Sequence, residues 1–445
     1  MLCVFFLTIS TIVILGLKPV SNGDKIVRFV IQYLVAIWLL LPFILSFFVD
    51  VVKENLTVNT NDLLNSYTLE SVGIAISVIL YIFFQNALPP SRKNNLLVSE
   101  QVKFFGVDKL FLFISFFLIF ISCIYSILDA SNYHDANLVG SASGIGGSFG
   151  LPLYEPLLIA ILSAFVISTR CKSTESKFAL VLILVYGLIK FFNGGRFAII
   201  YPFIPLVFVM ILRAGRLKTF IKIFFLSIIF MPVIAVIVIG GAMVRDGDGL
   251  NFDFGDFSSV GKLLLIHFYL KFSGVTNATF LSLHANAVSN GEAITSIMGP
   301  LFSFIPRLFW PTKPISGSLD GTEGGLPYRI AAQILNYPEW GNVALSPFTT
   351  SDWIYGWWGV GGTALMIAIN MFLASKLIES GFKGKLFFSA IGFYMLGLPH
   401  LSGLWNAFAP GLGLFSNSIF MMTVMYLCIA FIRLLGRGQK RESGI

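Results

Sequence analysis

A chain of 445 residues that is 56% hydrophobic and only 12% charged is too apolar for a soluble domain, in which about a quarter of residues carry charge. Its mean hydropathy of +0.85 agrees, and the composition marks an integral membrane protein. The formal net charge of +8 does not mark a nucleic-acid binder, because the basic residues sit in short loops between apolar runs, where they orient a membrane protein.

The apolar runs fall near 2–17, 28–49, 69–88, 110–128, 153–169, 178–192, 197–212, 220–243, 353–375, 386–402 and 413–432. Each is read as crossing a hydrocarbon layer of roughly 30 Å. The expected architecture is an all-α polytopic membrane protein of about 11 transmembrane helices, a single integral membrane domain over 1–445. The first run lacks a basic n-region and an A-x-A-like site, so it reads as an anchor and not a signal peptide. Most runs are apolar on all faces and almost free of charge, as helices packed in lipid are. The cysteines Cys3, Cys123, Cys171 and Cys428 show no pairing or metal spacing.

Segments 18–27, 89–109, 170–177, 213–219, 376–385 and the tail from Arg433 are read as cytoplasmic. With flanking Arg28 and Lys222, this puts 21 of 30 Lys+Arg inside and 16 of 22 Asp+Glu outside, giving an N-out, C-in topology. The longest inner loop, 89–109, is too short for a nucleotide-binding fold, and no P-loop or GxGxxG pattern follows a strand-like run. By contrast, 244–352 is a large outward-facing loop, and loops of that length are usually functional. Its apolar stretches 259–272 and 296–310 read as interfacial or re-entrant helices.

Some outward cations run against the charge rule. The connection KFFNGGRFAII carries Lys190 and Arg196 without an acid. Arg196 follows Asn193, Gly194 and Gly195 at the start of a helix, where free amides and a guanidinium make an anion site; the bland alternative is an arginine snorkelling to headgroups. In FIPRLFWPTKP, Pro306, Pro311 and Pro314 stiffen the backbone around Arg307 and Lys313, while Phe304, Phe309 and Trp310 set an interfacial depth. The bland alternative is an aromatic-belt anchor with snorkelling cations, but together with Arg196 two rigidly placed cation sites on the outer face point to one polyanionic ligand. Arg245 in GGAMVRDGDG serves either as a helix C-terminal cation or as a further ligand. The acids after it lack the EF-hand glutamate and read as a solvated face. In SPFTTSDWIYGWWGVGG, Asp352 is expected to cap the ninth helix, as a plain N-cap or as a general base. His267 and His284 in the large loop are reserve base candidates, and no histidine lies at metal-ligand spacing.

These features together resemble the Wzy-type oligosaccharide repeat-unit polymerases of bacterial O-antigen, capsule and exopolysaccharide assembly. The resemblance is carried by 193–196, 305–314 and 346–362. It implies a glycosyltransferase in the bacterial cytoplasmic (inner) membrane, multi-pass, with its site facing the periplasm or exterior. The implied donor and acceptor are undecaprenyl-diphosphate-linked oligosaccharides, without cofactor, metal or nucleic acid. Membrane lipids, a chain-length regulator and a flippase are the implied partners. Arg196 and Arg307 would hold the diphosphate, Arg245 and Lys313 would support them, and Asp352 or a loop histidine would be the base. Many members of the family it resembles have Glu in a small-polar-Glu-x-Tyr entry, where this chain has Ser351-Asp352-Trp353-Ile354-Tyr355, with a shorter acid and a shifted aromatic. A flippase for lipid-linked oligosaccharides, and a related ligase or acyltransferase, are the competing readings.

Overall fold

The computed structural model describes residues 1–54, 60–87, 104, 106–129, 154–192, 201–213, 221–223, 225–226, 229, 261–262, 265 and 347–396. Among them the secondary structure is helical, with no strand. We number the helices α1 (Leu2–Gly16), α2 (Asn22–Leu34), α3 (Leu41–Phe48), α4 (Asp50–Glu54), α5 (Thr60–Ala87), α6 (Gly106–Asp129), α7 (Tyr154–Ser168), α8 (Thr174–Phe192), α9 (Phe203–Arg213), α10 (Pro347–Tyr355), α11 (Trp357–Gly381) and α12 (Leu386–Met395). A π-helical segment, Val35–Leu40, joins α2 to α3 without a break. Pro42 near the start of α3 supplies no amide to the turn before it, and the ladder there widens.

Among the described residues, three continuous helices are long and apolar enough to cross a membrane: Asn22–Phe48 with 27 residues, Thr60–Ala87 with 28 and Trp357–Gly381 with 25. At about 1.5 Å per residue each exceeds the roughly 20 residues a bilayer core requires. Leu2–Gly16, Leu157–Ser168, Phe203–Arg213 and Leu386–Met395 are shorter apolar helices. Phe83, Phe113, Phe117 and Phe178 stand exposed on the outside of α5, α6 and α8, an apolar surface suited to lipid. Inside, α11 packs against α12, α5 and α2, and α7 against α12 and α8.

Contacts at the two ends fix the relative directions of the long helices. At one end Asp24, Arg28, Tyr81, Gln85 and Ser375 are buried together. The Asp24 carboxylate accepts from Arg28 Nε at 2.7 Å, Tyr81 Oη at 2.5 Å and the Val20 amide at 2.7 Å. Gln85 donates to Tyr81 Oη at 3.3 Å and to Ser375 Oγ at 3.0 Å. Glu379 accepts the Gly23 amide at 3.0 Å. Gly23 is required here, since a Cβ would overlap the Ser375 carbonyl oxygen of α11. At the opposite end Ser46 pairs with Tyr67 Oη at 3.0 Å, and Glu70 meets the start of α10. The α2–α3 helix is thus antiparallel to α5, and α5 and α11 run the same way.

Three sequence expectations change. The span expected at 28–49 starts at Asn22, because Ser21 accepts the Asp24 amide at 3.2 Å and caps the helix within the loop assigned to 18–27. The span expected at 69–88 starts at Thr60, its polar first turns being helical because Ser66, Tyr67, Glu70 and Ser71 turn inward. Long helices nearly free of charge were also expected, yet they bury Asp24, Arg28 and Glu70. Each of these charges has a partner close by, which is how ionised groups survive in an apolar interior.

Candidate functional site

Segment 347–362 is the one expected site region that the described residues cover continuously. It folds as two helices, not one. Pro347 opens α10, a position where its missing amide costs nothing. The next amides have no carbonyl within their own helix, and a neighbouring helix supplies the acceptor. Glu70 Oε1 on α5 accepts the amides of Phe348 at 3.1 Å and Thr349 at 2.9 Å, and the Thr349 hydroxyl at 3.1 Å. A carboxylate at a helix N-terminus also meets the positive end of the helix dipole. One turn along α5, Gly73 leaves room for the buried Phe348 ring, which a Cβ would overlap.

The junction with α11 is equally specific. Gly356 has φ +60°, a left-handed value that glycine adopts without strain; it ends α10 and is the N-cap of α11. Its amide bonds the Asp352 carbonyl at 2.6 Å. Ser351 Oγ donates to the Pro347 carbonyl at 2.5 Å and pairs with Thr363 Oγ1 of α11 at 2.6 Å. Gly359 lets α11 pass the Ser351 carbonyl, which a Cβ would overlap. The two helices therefore form one tight corner.

Asp352 lies within α10 and does not cap the ninth helix as the sequence suggested; that position belongs to Gly356, which makes no side-chain cap. The reason is the left-handed glycine, which separates a short helix from the long one. Asp352 is half-buried, and burial pushes its carboxyl above the usual carboxylate value. Such a carboxylate is a stronger base toward a hydroxyl than a solvated one. Trp357 and Trp358, largely exposed just beyond, suit a headgroup-level aromatic belt.

Lys190 is in the last turn of α8, a favourable place for a cation. Its ammonium lies 5.7 Å from the centroid of the Tyr186 ring, within cation–π range. Gly194, Gly195, Arg196, Arg245, His267, His284, Arg307 and Lys313 lie outside the described residues.

Glu70 is the residue the sequence reading passed over. It stood at the first residues of an expected span, in NSYTLES, and an acid beside an apolar run is a functional suspect by default. Its partners on α10 are nearly 280 positions away (|i−j| = 278 for Phe348), and no local pattern announces them. No family model matches the chain, and neither a curated protein nor a solved structure does.

Proposed function

We propose that this chain is a lipid-linked oligosaccharide repeat-unit polymerase of the bacterial cytoplasmic membrane, working on the outer face at the Glu70 end of the bundle. The observation that carries the reading is Asp352: a half-buried carboxyl with a raised pKa, seated on a docked helix directly after the long segment that holds Arg245, Arg307 and Lys313. In the reaction, the Asp352 carboxylate takes the proton from an acceptor sugar hydroxyl. The hydroxyl oxygen forms a bond to the anomeric carbon of the donor glycan, and the bond from that carbon to the diphosphate oxygen breaks. The electron pair leaves with undecaprenyl diphosphate. Arg196 and Arg307 neutralise the charge developing there, the type of stabilisation that usually dominates such transfers. The energy resides in the glycosyl diphosphate, which fits the absence of a nucleotide motif in the sequence.

The competing flippase reading calls for cations along a transmembrane path. Arg28, a cation inside a described candidate span, is bonded to Asp24 at 2.7 Å and packed among buried residues, which favours a structural role. The test is the glycan profile of a deletion strain complemented with variants. Arg196→Ala and Arg307→Ala are expected to reach the membrane and leave single-repeat glycans. Long polymer at normal level in both would remove the diphosphate-site reading, and lipid-linked units trapped in the inner leaflet would establish the flippase instead.

A further inference from the structure

The start of α10 poses a question that Asp352 alone does not answer. A nine-residue helix has too few internal hydrogen bonds to hold a side chain in place. The described contacts on this helix are concentrated on two walls. One is α11, through Ser351, Thr363 and Gly359. The other is α5, through Glu70 and Gly73. Glu70 is fully buried, and a single oxygen, Oε1, takes all three of its α10 bonds. Phe348, held against Gly73, is fully buried as well. Asp352 stands one helical turn beyond Phe348, so a shift at the start of α10 is carried to Asp352 as a rotation of the whole short helix.

We propose that Glu70 is a positioning residue for Asp352: its carboxylate docks the N-terminus of α10 on α5 and thereby sets where the Asp352 carboxyl lies. The inference rests on the reading of Asp352 as the acceptor base. Glu70 itself touches neither donor nor acceptor. Hydrogen bonds to a charged group are about twice as strong as neutral ones, and an amide oxygen at the same place keeps an acceptor without the charge. The neutral isostere therefore retains part of the function, and truncation retains little.

Two measurements on the full-length protein in lipid nanodiscs test this. The first uses Asp352→Cys in a background with the native cysteines replaced by serine, and follows labelling by a membrane-impermeant maleimide. Adding Glu70→Ala is expected to speed labelling about tenfold, in line with the loss of hydrogen bonds to a charged group, as a single exponential over the whole folded population. The second uses Asp352 intact and lipid-linked repeat units extracted from a deletion strain. Glu70→Ala is expected to lower kcat about tenfold with KM unchanged, and Glu70→Gln is expected to fall between it and the parent. Unchanged labelling in Glu70→Ala overturns the inference. Biphasic labelling, or equal loss in Glu70→Ala and Glu70→Gln, assigns Glu70 to folding alone and also overturns it. If Glu70→Ala fails to accumulate, Gly73→Ala, which drives a Cβ into the Phe348 ring, carries the labelling test with the same expected acceleration. Parent-level kcat in Asp352→Asn would instead remove the base reading, while the labelling arm still decides whether Glu70 sets the position of residue 352.

Discussion

At the Asp24 end, buried polar groups from α2, α5 and α11 bond one another, and the half-buried acids there, Glu379 and Asp108, each accept an amide of a neighbouring helix; at the Glu70 end, one buried carboxylate seats a helix that carries a half-buried carboxyl of its own, Asp352. Both ends use the same device, an acid on one helix accepting amides at the start of another. Glu379 serves α2 and Glu70 serves α10, and Asp108 on α6 does so for α12, accepting the Phe387 amide at 3.2 Å. In an apolar medium the first amides of a helix need a partner, and a carboxylate from a neighbour satisfies them while fixing how the two helices meet. The difference lies in what is left over. At the first end Glu379 and Asp108 each accept an amide from a neighbouring helix, which suits a structural hub. The second holds a half-buried titratable group, Asp352, on a short helix docked between two long ones, an arrangement suited to a working site.

The sharpest way to break the comparison is at the Asp24 end. Asp24→Ala strands the Arg28 guanidinium and the Tyr81 hydroxyl, and breaking a buried pair costs about 3–5 kcal/mol. Accumulation in the membrane and thermal survival in detergent are expected to collapse, and near-normal survival would refute the role of hub. At the Glu70 end Gly73→Leu is expected to cost about 1–3 kcal/mol through overpacking against Phe348, seen as a moderate loss of thermal survival with α10 displaced. Ser351→Ala, which removes the hydroxyl pair with Thr363, is smaller, about 1 kcal/mol, measured the same way.

Asp352→Asn has the smallest expected effect on stability and, under the proposed function, the largest on polymer growth. The sign for stability follows from linkage. A carboxyl raised in the folded state holds its proton more tightly there than in the unfolded chain, so its contribution falls as pH rises from the ordinary carboxylate range through the raised value. Asparagine removes that slope. Thermal survival of the variant is expected to change less than that of the parent over this window, and identical pH profiles would show that Asp352 is not perturbed. For the proposed activity the direction reverses: with Asp352 as the base, the base form appears only above the raised pKa, and polymerisation by the parent is expected to fall as pH drops through it.

Much of the frame was legible in the residues. Long apolar runs require helices in lipid, and the helices at Asn22–Phe48, Thr60–Ala87 and Trp357–Gly381 stand where three of the runs were read. Two of the starts were placed too late because hydropathy ranks polar residues as outside, while Asp24, Ser66 and Tyr67 are polar and turned inward. Spacing along α2 does place Asp24 and Arg28 one turn apart, a signal the hydropathy reading ignored.

The sequence by itself determined that this chain is a membrane protein, that its helices are long where it is uniformly apolar, and that Asp352 stands before a glycine-rich helix. Those properties depend on composition and on neighbours a few residues apart. Only the tertiary structure decided that Gly356, not Asp352, starts α11, that Glu70 caps α10, and that Gly73 and Gly23 are points of close helix approach. Each of these depends on which side chain from a distant helix lies within about 3 Å. Chain pattern does not encode that distance; packing does.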